Sequence, residues 1–276
     1  MLNATPDDGI PIDERLPLLF YCHDALRCGS ARRAALVASL SSHFRVVLVG
    51  GPEALERIDA PPSVEVVRLP SLGSADASPA RAHALLGAYL QVDPAVLLIE
   101  QFPFGCAPFA DDIVTVLEGA AVNPRTRLVA CSIVDFLGDP SVPAQRRDVQ
   151  AQRLANWYFD VVFVHADPRV GRCAAALEPQ TLRVPVRYTG FVAPVPSDAP
   201  VAMGSQRYEI VVTGDGARPD PTLFRAAQRP PPPYFKLDRS GAAETLRIVT
   251  RLADPPPMFP PPFPGLDDGS SSAAPH

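Results

Sequence analysis

Short apolar runs recur along the first two thirds of the chain, separated by stretches whose apolar residues return every three or four positions. Leu18–Cys22, Arg45–Val49, Val64–Leu69, Ala95–Glu100, Arg127–Ser132, Asp160–Val164 and Leu182–Tyr188 are rich in Val, Leu and Ile and read as strands. Between them Ser30–Leu40, Pro79–Leu90, Phe109–Ala121, Ala144–Trp157 and a segment from Asp167-Pro168 to about Leu177 read as helices, and Gly50-Gly51-Pro52 as a tight exit. The strand runs are almost wholly apolar rather than alternating. A sheet with one wet face would alternate, so this one is covered by helices on both sides and is mostly parallel. With right-handed crossovers the expectation is an α/β fold, a Rossmann-like doubly wound layer structure over residues 17–193. Ligands of such sheets lie beyond the C-terminal strand ends.

After residue 193 the pattern changes. Residues 194–206 read as a linker, Tyr208–Thr213 as a strand running into Thr213-Gly214-Asp215-Gly216, and Thr222–Gln228 as a short helix. A last helix, Gly241–Leu252, carries apolar residues at Ala242, Leu246, Val249 and Leu252. One strand and two helices cannot bury a core of their own. The expectation is a vestigial second domain over 207–254 whose last helix crosses back onto the first. Many of the 34 prolines cluster at 230–233, 255–257 and 260–264. Proline has no backbone donor and disfavours helix before it, so 255–276 is expected to be a Pro-rich disordered tail, with 1–16 a disordered start.

Composition narrows the function classes. Net charge is −5 and Lys236 is the sole lysine, which argues against a general nucleic-acid binder, because phosphate backbones are held by Lys and Arg. Met1–Pro17 is polar and acidic, the reverse of a secretory signal, and no apolar run approaches the ~20 residues needed to cross a bilayer. The five cysteines have no CxxC spacing and read as reduced thiols of a cytoplasmic protein without a metal centre.

The most informative stretch follows the first strand: Cys22-His23-Asp24-Ala25-Leu26-Arg27-Cys28-Gly29-Ser30-Ala31-Arg32-Arg33. Gly29 allows a close turn at a strand end, and Ser30 suits a helix N-cap. The free N–H groups of the next turn attract an anion, with Arg32 and Arg33 adding charge. A well-capped helix with two solvated arginines reads the same residues equally well. Glu100, at the end of the fourth strand, points to an acceptor hydroxyl or to an exposed loop carboxylate. Asp111-Asp112 read as a helix start, and Trp157, Tyr158 and Phe159 as core.

These loops, taken in order, resemble a group of predicted bacterial glycosyltransferases related to glycosyltransferase family 28. Their members open with a strand, then Ser-His-Asp and Gly-His-Leu-Arg-Arg, matched here by His23-Asp24 and by Gly29, Arg32 and Arg33. Leu69-Pro70-Ser71-Leu72, Phe102-Pro103-Phe104-Gly105, Asp135 to Pro140, Asp167-Pro168 and Thr189-Gly190-Phe191 resemble later signals. Ser30 stands where the usual loop histidine would be, and Val134 where an arginine precedes Asp135. The resemblance implies the N-terminal, acceptor-side half of a GT-B fold. It implies His23 as the catalytic base and an acceptor or phosphate site of Asp24, Gly29, Ser30, Arg32, Arg33, Glu100, Phe104, Gly105 and Asp135. Gly214 and Gly216 would remain from the donor-binding half, most of which is missing. A nucleotide-sugar donor and a small or lipid-linked acceptor are the implied ligands, and a partner subunit supplying the donor domain an implied partner. No cofactor is implied. A non-catalytic binding module or a degenerate, truncated member is the alternative.

Overall fold

The computed structural model describes residues 11, 14–22, 30–56, 58–71, 77–105, 109–133, 144–168, 182–192 and 240–253. In chain order the elements are β1 (Pro17–Cys22), α1 (Ser30–Leu40), β2 (Arg45–Gly50), α2 (Pro52–Leu55) and β3 (Glu65–Arg68). They continue with α3 (Ala77–Val92), β4 (Val96–Glu100), α4 (Ala110–Val122), β5 (Leu128–Ile133) and α5 (Ala144–Tyr158). Last come β6 (Val161–Val164), β7 (Val186–Tyr188) and α6 (Gly241–Ala253). The expected second-lobe strand at 208–213, the helix at 222–228, the linker, nearly all of the expected helix after Asp167-Pro168, most of residues 1–16 and the tail at 255–276 lie outside the described residues.

Seven strands form one sheet in the order β3-β2-β1-β4-β5-β6-β7, every pairing parallel. This is the Rossmann-like doubly wound α/β fold expected from the apolar strand runs. The central strands are buried along their whole length, so each needs apolar side chains on both faces. One face, with Leu97, Ile99, Cys131, Val162 and Val164, packs under α3, α4 and α5. The other, with Leu18, Phe20, Leu98, Ala130 and Phe163, packs under α1 and α6. Each such leucine or phenylalanine, fully buried, contributes about 1.5–3 kcal/mol. Beyond Gly50-Gly51, read with Pro52 as a tight exit, Pro52–Leu55 makes one helical turn with proline at its start, where a missing N–H costs nothing.

Two expectations are corrected. Trp157 is not core: it is 80% exposed on α5, while Phe159 is buried. Helical phase decides this, because Ala151 and Ala155 face the sheet and Trp157 lies two residues further round. In α6 the buried stripe is Gly241, Thr245, Val249 and Ala253, spaced by four; of the expected apolar positions Val249 lies on it, Leu246 packs partly against the core and Leu252 is 40% exposed. Small residues let α6 approach α1 and the chain after β7 closely. Ser39 Oγ donates to Ala242 O at 3.1 Å, Arg127 Nη1 donates to Ala253 O at 3.3 Å, and Gly241 N donates to Phe191 O at 3.3 Å.

Gly241 is needed for that approach. A Cβ there would stand 2.5 Å from Gly190 O and 2.8 Å from the Phe191 carbonyl carbon. Those are backbone atoms, which cannot swing aside. Gly241→Ala is therefore expected to destabilise by about 1–3 kcal/mol, as overpacking does. Hydrogen exchange should show the loss first in α6; unchanged protection of 241–253 would contradict it.

Candidate functional site

In a doubly wound sheet the crevice opens where neighbouring strands send their following helices to opposite faces. Here that point lies between β1 and β4, which pair side by side although α1, β2, α2, β3 and α3 separate them in sequence. Alternation along the strands puts Cys22, Glu100, Ser132 and His165 on the α1/α6 face, each just above an apolar neighbour two residues earlier (Phe20, Leu98, Ala130, Phe163). A row of polar groups therefore caps the core along the C-terminal edge.

The first turn of α1 brings Arg32 and Arg33 over this row. Arg33 Nε donates to both Glu100 oxygens at 2.9 and 2.8 Å, and its Nη2 lies 2.8 Å from Oε2. Arg32 Nη2 donates to Glu100 Oε1 at 3.0 Å. Arg33 is 2% exposed and Glu100 1%, whereas the Arg32 side chain keeps 17% of its surface. Among the described residues two guanidinium groups here face one carboxylate. Glu100 is thus neither an exposed loop carboxylate nor free for an acceptor hydroxyl: its oxygens are occupied by the two guanidinium groups. Arg33 is buried and paired rather than solvated.

Beside Glu100, Ser132 Oγ lies 2.8 Å from His165 Nε2, and His165 Nδ1 lies 2.8 Å from Thr189 Oγ1. Thr189 Oγ1 also reaches Gly190 O at 3.2 Å. One arrangement satisfies all three contacts: Ser132 donates to Nε2, Nδ1–H donates to Thr189, and the threonine hydroxyl donates to the carbonyl. That requires a neutral imidazole. Burial, and secondarily the Arg32 charge, push the His165 pKa down to about 3. The buried Cys131 thiol is pushed up by burial and then by Glu100, so it is no nucleophile at neutral pH.

On the opposite face Arg81 is fully buried. It donates to Tyr21 Oη at 3.2 Å and Pro70 O at 3.0 Å, stands 3.8 Å from Asp112 Oδ2 and stacks 5.0 Å above the Phe109 ring. Asp112, read as part of a helix start, does sit in the first turn of α4, and there it faces this buried arginine.

Of the expected site residues the structure brings together Arg32, Arg33 and Glu100. Phe104 packs into the α3/α4 core instead of lining the edge, and Gly105 N donates to Gln101 O at 2.9 Å, closing the turn after β4. Ser30 opens α1. His23, Asp24, Gly29, Asp135, Gly214 and Gly216 lie outside the described residues. Ser132, His165 and Gln101 were missed as site residues. Counting in twos along each strand from its buried centre was the signal for the first two, since both end an apolar series on one face. Among the described residues no group of His, Cys, Asp and Glu is arranged to hold a metal, and no helix is long and apolar enough to cross a membrane.

No protein-family model and no curated protein matches the chain. Among solved structures it is similar to UDP-N-acetylglucosamine 2-epimerase from Rickettsia bellii, with 10% identity, a TM-score of 0.42, and coverage of 64% of this chain and 45% of that one. It is also similar to the glycotransferase of kitacinnamycin, with 9% identity, a TM-score of 0.42 and coverage of 71% and 55%. A third is the spinosyn rhamnosyltransferase SpnG, with 13% identity, a TM-score of 0.39 and coverage of 67% and 53%. The chain spans about half the length of each of these three solved structures.

Proposed function

We propose that this chain is the acceptor-side lobe of a GT-B glycosyltransferase-like protein, binding a phosphate-bearing sugar or lipid-linked acceptor at the β1–β4 edge. The observation that carries the reading is the Arg32–Glu100–Arg33 cluster, two guanidinium groups on one buried carboxylate with Arg32 partly exposed, at the switch point of a doubly wound sheet. Glu100 holds Arg33 rigidly, and the partly exposed Arg32 is left to face an anion in a low-dielectric setting, where charge pairing is stronger than in water. The transfer itself joins an acceptor oxygen to the anomeric carbon of a nucleotide-sugar and releases the nucleoside diphosphate. His23, by resemblance, takes the acceptor proton. The donor is held by the segment around Gly214 and Gly216 or by a partner subunit, because much of the rate comes from fixing both reactants together.

A second reading, binding without turnover, is favoured by a specific observation. Glu100 is fully engaged, and His165, with a pKa near 3, is too weak a base to take a hydroxyl proton efficiently. Thermal unfolding with UDP-glucose and glucose 1-phosphate tests the binding that both readings share. A ligand at a hundredfold excess over Kd should stabilise the chain by about 2.7 kcal/mol. No shift with either compound would sink both. Sugar transfer that disappears in His23→Ala would decide for the enzyme.

A further inference from the structure

Directly after Glu100 the chain turns through Gln101 with φ 66°. This is the left-handed region, uncommon for any residue with a Cβ and natural for glycine. Gln101 is 1% exposed, and among the described residues its Oε1 is a buried acceptor with no hydrogen-bond partner. The backbone is fixed from both sides: Gln101 N donates to Ser132 O at 2.9 Å, and Gly105 N returns to Gln101 O. Left-handed backbone and an unmet buried carbonyl each oppose folding, and glycine would remove both. Folding alone therefore gives no reason for glutamine at this position, and strain of this kind gathers at ligand sites.

We propose that the Gln101 carboxamide reads the ligand at the switch point, its Oε1 accepting a hydrogen bond from a hydroxyl of a sugar phosphate whose anionic end lies against Arg32. The inference rests on the function proposed above and names the ligand chemistry of that same edge. A carbonyl oxygen can only accept, so it selects a donor such as a hydroxyl. Arg32, sharing Glu100 with Arg33, selects negative charge. The two together favour a hydroxyl-bearing anion over a bare anion or a neutral sugar.

Glucose 1-phosphate and sulfate, the second an anion without hydroxyls, are titrated onto the full chain and onto Gln101→Gly and Gln101→Asn. Gln101→Gly is expected to raise the unliganded Tm by a few degrees and to weaken glucose 1-phosphate binding about tenfold, while sulfate binding stays within about twofold. Gln101→Asn keeps an amide and suits left-handed backbone. It should fold at least as well as the parent yet bind glucose 1-phosphate more weakly, its carbonyl being one methylene short. A lowered Tm in both variants would make Gln101 a structural residue and overturn the inference. Unchanged glucose 1-phosphate affinity, or an equal loss for sulfate, would overturn it while leaving the proposed function standing. A parent chain that binds neither probe overturns the proposed function and this inference with it.

Discussion

Glu100→Ala is expected to lower unfolding free energy by about 3–5 kcal/mol, the usual cost of stranding a buried charge. The residue lies beneath two guanidinium groups, one of them 2% exposed, so its removal takes a bidentate carboxylate away from the buried charge of Arg33. Against a total stability of about 5–15 kcal/mol, such a loss leaves little margin. Replacing both partners, Arg33→Leu with Glu100→Leu, should cost less than Glu100→Ala, because the apolar pair strands no charge on Arg33. Urea unfolding of the single and double variants measures this. A cost under about 1 kcal/mol for Glu100→Ala, typical of a solvated surface pair, would mean that the cluster is not buried in solution.

The second large effect is acid sensitivity through His165. Its pKa is about 6.5 in an unfolded chain and is pushed down to about 3 in the native state. The unfolded chain therefore binds the extra proton between these values. The contribution is fully present above pH 6.5, is lost as pH falls, and is gone below about pH 3. The slope from this one group approaches 1.4 kcal/mol per pH unit, on the order of 5 kcal/mol over the whole window. His165→Gln keeps polar contacts available to Ser132 and Thr189 but cannot take the proton, so its stability should fall less steeply between pH 6 and 4. Parallel profiles for parent and variant would refute the neutral, buried imidazole.

The sheet was legible because burial on both faces leaves a direct trace: residues 96–99, 128–131 and 161–164 are continuous apolar runs, and such runs argue against a half-wet antiparallel sheet. The pairing of Arg32 and Arg33 with Glu100 was only half legible. Sequence spacing put all three at strand or helix ends on the same edge, but whether the arginines meet solvent or a carboxylate depends on the β1–β4 adjacency, which brings Arg33 and Glu100 together across 67 residues. Gln101 carried no signal, since neither its backbone angle nor an unmet carbonyl is written in local composition. Trp157 misled for the opposite reason. Aromatic character suggests burial, whereas helix phase set by Ala151 and Ala155 turned it outward. In α6 a search for apolar residues found Val249 and missed Gly241, Thr245 and Ala253, the small residues that share its buried face.

Hydrogen–deuterium exchange of the full chain, with and without saturating glucose 1-phosphate, tests the central claim that ligands are held at the switch point by α1 and the end of β4. Added protection should concentrate in residues 30–36 and 100–105, with β2, β3 and α5 unchanged. Protection confined to other segments, or none at saturation, would contradict the assignment of this edge as the binding site.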